Sequence, residues 1–283
     1  MKLYNIIADG EIHLAVEGKK GIVDATKAGC TLCMDEVIAG AGLGALKEIA
    51  DCEALEPVEN PVWANIVNTP GKLVCVGLNY RSHAEAQGVK ALDKVNGNPI
   101  LFSKFSDCLV PAGSEVETYD WEESYDYEAE LVIVIGKKCW NVSPEEANDY
   151  VFGYTCGNDF SCRVPQKRTS QWLIGKAMPG FGPCGPCIVT RDEVCPEDGL
   201  AIRSYVNGEL RQDGKTNQMI FSPSDIISYA SKYIMLKPGD LIFTGTPSGV
   251  QLEKAPGEAS WLKKGDEIRV EIEGIGALIN RMK

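Results

Sequence analysis

The sequence predicts a mixed α/β, β-rich fold, with a small N-terminal α+β module leading into a rolled, mixed β-sheet domain. Three observations carry this expectation. Short apolar runs bounded by Gly, Pro and Asp recur from Lys72 to near the C-terminus. Helical periodicity is confined to a few brief stretches. Long, motif-bearing loops connect many of these runs.

In chain order, residues 1–68 form the predicted N-terminal module. Segments 3–7, 12–16 and 21–24 read as short strands separated by Gly-containing turns. A helix is expected next, because Val37, Leu43, Leu46 and Ile49 offer a partial apolar stripe. Gly40-Ala41-Gly42-Leu43-Gly44-Ala45 superficially matches a dinucleotide-binding glycine pattern. It follows a helical segment rather than a strand, so helix packing or a turn is the better reading. Pro57, Pro61 and Pro70 bracket a linker-like stretch. The second domain, 69–283, contains strand candidates at 72–76, 99–102, 128–135, 151–155, 201–206, 240–243 and 267–272. Helices are expected at 144–149 and 224–231, with short pieces near Arg81 and Arg168. Pro238-Gly239-Asp240 and Lys264-Gly265-Asp266 are tight turns feeding strands.

Composition narrows the function classes. Of 283 residues, 44% are hydrophobic and 24% charged, an ordinary balance for a folded chain. A formal net charge of −12 argues against a nucleic-acid partner, which requires a basic face. It leaves room for one positive pocket within an acidic surface. Met1-Lys2-Leu3-Tyr4-Asn5 runs into the acidic turn Asp9-Gly10-Glu11 with no secretory pattern. No apolar run approaches the roughly 20 residues needed to span a bilayer. The expectation is a soluble, cytoplasmic protein without a membrane partner.

Eleven cysteines are scattered through predicted strands and loops and read mainly as small buried hydrophobes. Two C-x-x-C pairs, Cys30/Cys33 and Cys184/Cys187, also allow a zinc site. Cys184-Gly185-Pro186-Cys187 copies a redox motif, yet it enters a strand instead of opening a helix.

The strongest local pattern is Asp126-Tyr127-Glu128-Ala129-Glu130, followed by an apolar run to Ile135. Alternation along a strand places Glu128 and Glu130 on one face. Side-by-side carboxylates repel unless they are solvated at a strand edge or share a divalent cation. Asp159 ends the next strand candidate and completes a three-carboxylate cluster if the two strands are neighbours. An all-oxygen set favours Mg²⁺ or Mn²⁺ over zinc.

Four linked segments then resemble the fumarylacetoacetate hydrolase family, in its acylpyruvase and 2-hydroxyhepta-2,4-diene-1,7-dioate isomerase-like branch. Glu128-Ala129-Glu130 is similar to the family's E-x-E metal strand. Asn158-Asp159-Phe160-Ser161-Cys162-Arg163, followed by Gln166, is similar to its N-D-x-S-x-R-D-x-Q segment. Thr244-Gly245-Thr246-Pro247-Ser248-Gly249-Val250 resembles its T-G-T-P-x-G-V loop, and Gly77-Leu78-Asn79-Tyr80-Arg81-Ser82-His83 its G-x-N-Y-x-x-H segment. The resemblance spans residues 72–280 in order and extends to Val206-Asn207-Gly208-Glu209.

The resemblance implies a homodimeric enzyme with a rolled β-sheet catalytic domain and one Mg²⁺ or Mn²⁺ per subunit. Glu128, Glu130 and Asp159 would be its ligands. The substrate would be a small 2-oxo or 2-hydroxydienoic carboxylic acid that chelates the ion. A bound cation acts as a Lewis acid on the 2-oxo group and stabilises an enolate. Hydrolysis of acylpyruvates, decarboxylation and enol–keto isomerisation all pass through that species. His83 would work as base and Lys176 would sit near the substrate's carbonyl or carboxylate. Arg163, Gln166, Thr246 and Tyr80 would contact substrate or support the metal. Lys104 is a candidate for the pocket rim. Asn79, Arg81, Phe181 and Met219 would surround the leaving or acyl portion.

This chain departs from the family pattern at three places. Family members often place Glu three residues after the histidine, where Ala86 stands here; Glu85 is the nearest substitute. Val164 replaces the aspartate after Arg163, and Ala177 a commoner serine. The absent glutamate keeps a second reading open, a metal-dependent 2-oxo-acid-binding protein with little catalysis. A third reading is a cysteine-based zinc or redox protein.

Overall fold

The computed structural model describes residues 1–88, 94, 97–255 and 257–283. Strands β1 (Lys2–Ala8), β2 (Glu11–Gly18) and β3 (Gly21–Asp24) form an antiparallel meander. The predicted single helix is two, α1 (Met34–Ile38) and α2 (Leu43–Asp51). The glycine-rich segment is the turn between them, with Gly40 and Gly42 at φ 106° and 71°. Those left-handed conformations cost glycine little and end the helical repeat. The two-residue strand β4 (Val62–Trp63) pairs with β1.

The remaining chain supplies β5 (Leu73–Gly77), α3 (Arg81–Ala86), β6 (Ile100–Lys104), β7 (Glu115–Val116), β8 (Tyr125–Asp126) and β9 (Ala129–Ile135). After α4 (Pro144–Ala147) come β10 (Val151–Asn158), β11 (Ser161–Cys162), α5 (Arg163–Gln166), α6 (Leu173–Lys176) and β12 (Cys184–Thr190). The C-terminal part holds β13 (Ala201–Val206), β14 (Glu209–Lys215), α7 (Pro223–Ser231), β15 (Leu241–Phe243), β16 (Glu267–Ile272) and β17 (Gly276–Met282).

A mixed ten-stranded sheet runs β3-β2-β1-β12-β10-β9-β15-β5-β6, with β4 attached to β1. Among the described residues, only its β15–β5 pair is parallel. A second, five-stranded sheet runs β14-β13-β16-β17-β7, and β8 and β11 form a separate pair. This is the strand-rich mixed architecture expected.

Strand β9 explains how the layers stack. Leu131, Ile133 and Ile135 enter one core with Val270, Ile272 and Leu278 of the second sheet and Ile226 and Ile227 of α7. Val132 and Val134 enter another core with Met34, Val37 and Leu46 of the N-terminal helices. Period-2 alternation thus feeds two cores, and a strand buried on both faces reads as one continuous apolar run. Each such side chain contributes about 1.5–3 kcal/mol by leaving water.

Helix α7 begins as its sequence requires. The Ser222 hydroxyl accepts from Asp225 N at 3.3 Å, and the Asp225 carboxylate accepts from Ser222 N at 2.8 Å. Pro223 at the first helical position needs no donor there. Strands β14 and β17 carry Arg211, Gln212, Asp213, Asn280 and Arg281, and this polarity hides them from a hydrophobicity search. Among the described residues no helix is long and apolar enough to cross a membrane.

Candidate active site and metal centre

The antiparallel β9–β10 register sets Gly157 opposite Glu130 and Asn158 opposite Ala129. Asp159, one residue beyond β10, therefore lies beside Glu128. Its N–H donates to the Glu128 carbonyl at 3.0 Å, and Asn158 Oδ1 accepts from Glu128 N at 2.9 Å. Gly157 permits the close approach, since a Cβ there would lie 2.4 Å from Val132 Cγ2. One oxygen from each of Glu128, Glu130 and Asp159 falls within 4.8 Å of the others, and all three residues are buried.

Three cations are folded around these acids. Lys176 Nζ, at the end of α6, donates to Glu128 Oε2 and Asp159 Oδ2, both at 2.7 Å. Arg163 reaches Glu128 Oε1 at 2.6 Å, Asp126 Oδ2 at 2.8 Å and Gln166 Oε1 at 3.0 Å. Lys104 is not at the pocket rim. Its fully buried ammonium lies 2.6 Å from Asp159 Oδ1 and donates to the carbonyls of Phe160 and Lys176. Val164, standing where the family aspartate was expected, points outward at 54% exposure; Asp126 anchors Arg163 instead.

Electrostatics divide the two glutamates. Burial opposes ionisation of Glu128, but Lys176 and Arg163 outweigh it and hold its carboxyl well below the usual range. Burial, with Asp159 and Glu128 adding repulsion, pushes Glu130 well above that range. Among the described residues, Glu130 receives one hydrogen bond, from Gly245 N at 2.8 Å. Asp126, Glu128, Glu130 and Asp159 thus face Arg163, Lys104 and Lys176, leaving one uncompensated negative charge when all seven are ionised. A divalent cation held by Glu128, Glu130 and Asp159 would reverse that excess and leave the cluster receptive to an anion. The all-oxygen donor set and the under-neutralised Glu130 fit Mg²⁺ or Mn²⁺.

His83 lies on α3 and faces the same cavity. Its Nδ1 is 2.5 Å from Glu253 Oε1, while Glu253 Oε2 accepts from Ser248 Oγ at 2.6 Å and Gly249 N at 2.8 Å. Burial opposes the Glu253 charge, but these bonds prevail and its pKa falls below the ordinary value. Glu85 does not take this place. It is exposed and lines a separate cavity with Arg81, Ser82 and Met219. Sequence reading missed Glu253 because 170 residues separate the partners. The available signal was an acid just after the Thr-Gly-Thr-Pro-Ser-Gly-Val loop.

The cavity measures about 290 Å³ and is lined by His83, Glu128, Glu130, Arg163, Gln166, Lys176 and Thr246, among others. The Thr246 hydroxyl is engaged by the scaffold, donating to Ala129 O and accepting from Gln212 Nε2, each at 2.8 Å. Tyr80 is buried without lining the cavity; its hydroxyl has no partner among the described residues, and burial with the nearby Glu130 charge raises its pKa. Asn79 is buried and ties Phe221 to Thr244, while Phe181 belongs to a separate core. Neither lines the cavity, nor do Arg81 and Met219; Leu78, Phe102, Trp172 and Leu252 form its apolar wall instead.

The cysteine pairs gather no third metal donor among the described residues. Cys184 and Cys187 are buried in β12 with their thiols pushed upward by burial, Cys187 to about 12. They suit packing better than thiolate chemistry.

Residues 72–283 match the family model described as fumarylacetoacetate (FAA) hydrolase, C-terminal. The human mitochondrial oxaloacetate tautomerase FAHD2A is 42% identical over 218 residues, covering 76% of this chain and 68% of that protein. Among solved structures, fumarylacetoacetate hydrolase from Exiguobacterium antarcticum is 33% identical with a TM-score of 0.87, covering 100% of this chain and 99% of that one. Maleylpyruvate hydrolase from Sphingobium sp. SYK-6, solved with manganese(II) and pyruvate, is 28% identical with a TM-score of 0.79. It covers 100% of this chain and 98% of that one.

Proposed function

This chain is an enzyme of the fumarylacetoacetate hydrolase family, and from that premise we propose that it interconverts the enol and keto forms of a small 2-oxo acid. The observation that carries the proposal is that His83, paired with Glu253, lines the same cavity of about 290 Å³ as Glu128 and Glu130 of the three-carboxylate cluster. Tautomerisation moves one proton between the 2-oxygen and C3, so one positioned base beside one electrophilic centre is sufficient.

Glu128, Glu130 and Asp159 would hold Mg²⁺ or Mn²⁺, which when bound supplies positive charge to the substrate's carboxylate and 2-oxygen. With Nδ1 turned to Glu253, His83 keeps Nε2 for the substrate. From keto to enol that nitrogen takes the proton from C3 and delivers it to the 2-oxygen; from enol to keto it takes the hydroxyl proton and delivers it to C3. Glu253 orients the ring and stabilises its cationic form. Lys176 and Arg163 fix the Glu128 carboxylate, and Lys176 and Lys104 fix Asp159. The named activity of the human relative, oxaloacetate tautomerase, supports this reading.

The same His–Glu pair is also equipped to activate water, which favours C–C hydrolysis of an acylpyruvate as the second reading. The maleylpyruvate hydrolase likeness supports it. Ultraviolet absorbance of enol oxaloacetate, followed with EDTA-treated protein before and after Mn²⁺ addition, tests the proposal. Metal-dependent loss of enol without pyruvate release supports tautomerisation. Pyruvate release from acetylpyruvate at a higher kcat/KM would favour hydrolysis.

A further inference from the structure

The cations around the cavity differ in what they are free to do. Arg163 and Lys176 line it but are held by Asp126, Glu128 and Asp159. Lys167, immediately after α5, lines the same cavity, is exposed, and forms no ion pair among the described residues. Its neighbour Arg168 pairs with Glu122 at 2.6 Å. Val76, Leu78, Phe102, Trp172 and Leu252 supply the apolar part of the same lining.

We propose that Lys167 is a specificity-determining residue that receives the distal carboxylate of a dicarboxylic 2-oxo acid. A substrate anchored by its 2-oxo-carboxylate end at the acidic cluster extends along the apolar wall. Lys167, the one cavity lysine without an ion pair among the described residues, lies on that lining. A monocarboxylic acid of equal length presents a methyl group there and leaves Lys167 with water. This assignment rests on the reading of the cavity as a 2-oxo-acid site.

The test compares 2-oxoglutarate with 2-oxopentanoate, which share a five-carbon chain and differ at the distal end, by calorimetric titration of Mn²⁺-loaded protein. Oxalate serves as the probe of the chelating end alone. The wild type is expected to prefer 2-oxoglutarate. Lys167→Met should weaken 2-oxoglutarate about five- to tenfold while leaving oxalate and 2-oxopentanoate nearly unchanged. Lys167→Arg should restore the preference, and added salt should shrink it in the wild type. Equal binding of both five-carbon acids by the wild type, or equal weakening of all three ligands by Lys167→Met, would overturn the role of Lys167. Failure of the wild type to bind oxalate would overturn the 2-oxo-acid site itself, and the inference with it.

Discussion

Glu253 accepts from His83 Nδ1 at 2.5 Å, joining helix α3 to a loop 170 residues later. Ser248 and Gly249 hold the other carboxylate oxygen, so Glu253 has little freedom to leave the imidazole. Replacing Glu253 with Gln keeps the shape and removes the charge that stabilises the imidazolium. The expected result is a fall in kcat of about 10²-fold or more, with KM and Mn²⁺ affinity almost unchanged. Steady-state kinetics beside a metal titration check this. A comparable loss in Glu85→Gln, with none in Glu253→Gln, would restore Glu85 as the partner.

Glu130 gives the metal-free protein a stability that depends on pH in a stated direction. Its pKa is raised by burial and by Asp159 and Glu128. A raised carboxyl contributes stability below its unfolded value and loses it as pH rises through the folded value. Metal-free protein should therefore lose Tm across that rise, and Glu130→Gln should flatten the profile. Mn²⁺ should raise the wild-type Tm more at higher pH, because no proton then has to be displaced from Glu130. Thermal melts with EDTA and with Mn²⁺ measure both effects. A metal-induced Tm increment that persists unchanged in Glu130→Gln would remove Glu130 from the site.

Lys104 supports the cluster from beneath through its fully buried pair with Asp159. Lys104→Met leaves that carboxylate one cation short and should cost about 3–5 kcal/mol in urea unfolding. The Lys104→Met/Asp159→Asn double variant should recover part of this, since the stranded charge is removed. Full additivity of the two losses would show that the pair does not interact.

Most of the carboxylate cluster was legible because strand geometry makes it so. Alternation placed Glu128 and Glu130 on one face, and adjacent strand candidates brought Asp159 to them. The apolar strand β9 was equally plain. Contacts made by loops across long separations were not: Glu253 lies in a single turn with no periodicity, and Lys104 reads as an ordinary lysine ending an edge strand. The C-terminal strand β17 was hidden by alternating exposed residues, Asn280 being buried only because it bonds to the Pro111 and Ser114 carbonyls. Glu85, two residues after His83, can serve only if α3 is turned differently, whereas the short helix directs His83 inward and leaves Glu85 outside.

Gly77 sets the position of the cavity's aromatic wall. A Cβ there would lie 2.2 Å from Trp172 Cζ3, and Trp172 packs edge-on against Phe102 with centroids 5.5 Å apart. Gly77→Ala must displace the indole, costing about 1–3 kcal/mol of stability by overpacking. KM for oxaloacetate should rise while Mn²⁺ affinity is retained, because no carboxylate of the cluster moves with Trp172. Unchanged KM would place the substrate away from this wall.

His83 is the proposed proton carrier of a metal-dependent site. Its most direct test measures enol-to-keto conversion of oxaloacetate by wild type and His83→Asn, each with EDTA and with saturating Mn²⁺, alongside Mn²⁺ binding to both. Conversion is expected by the wild type only with metal, with a loss of about 10²-fold or more in His83→Asn despite normal Mn²⁺ binding. Full activity of metal-stripped wild type, or of Mn²⁺-loaded His83→Asn, would contradict it.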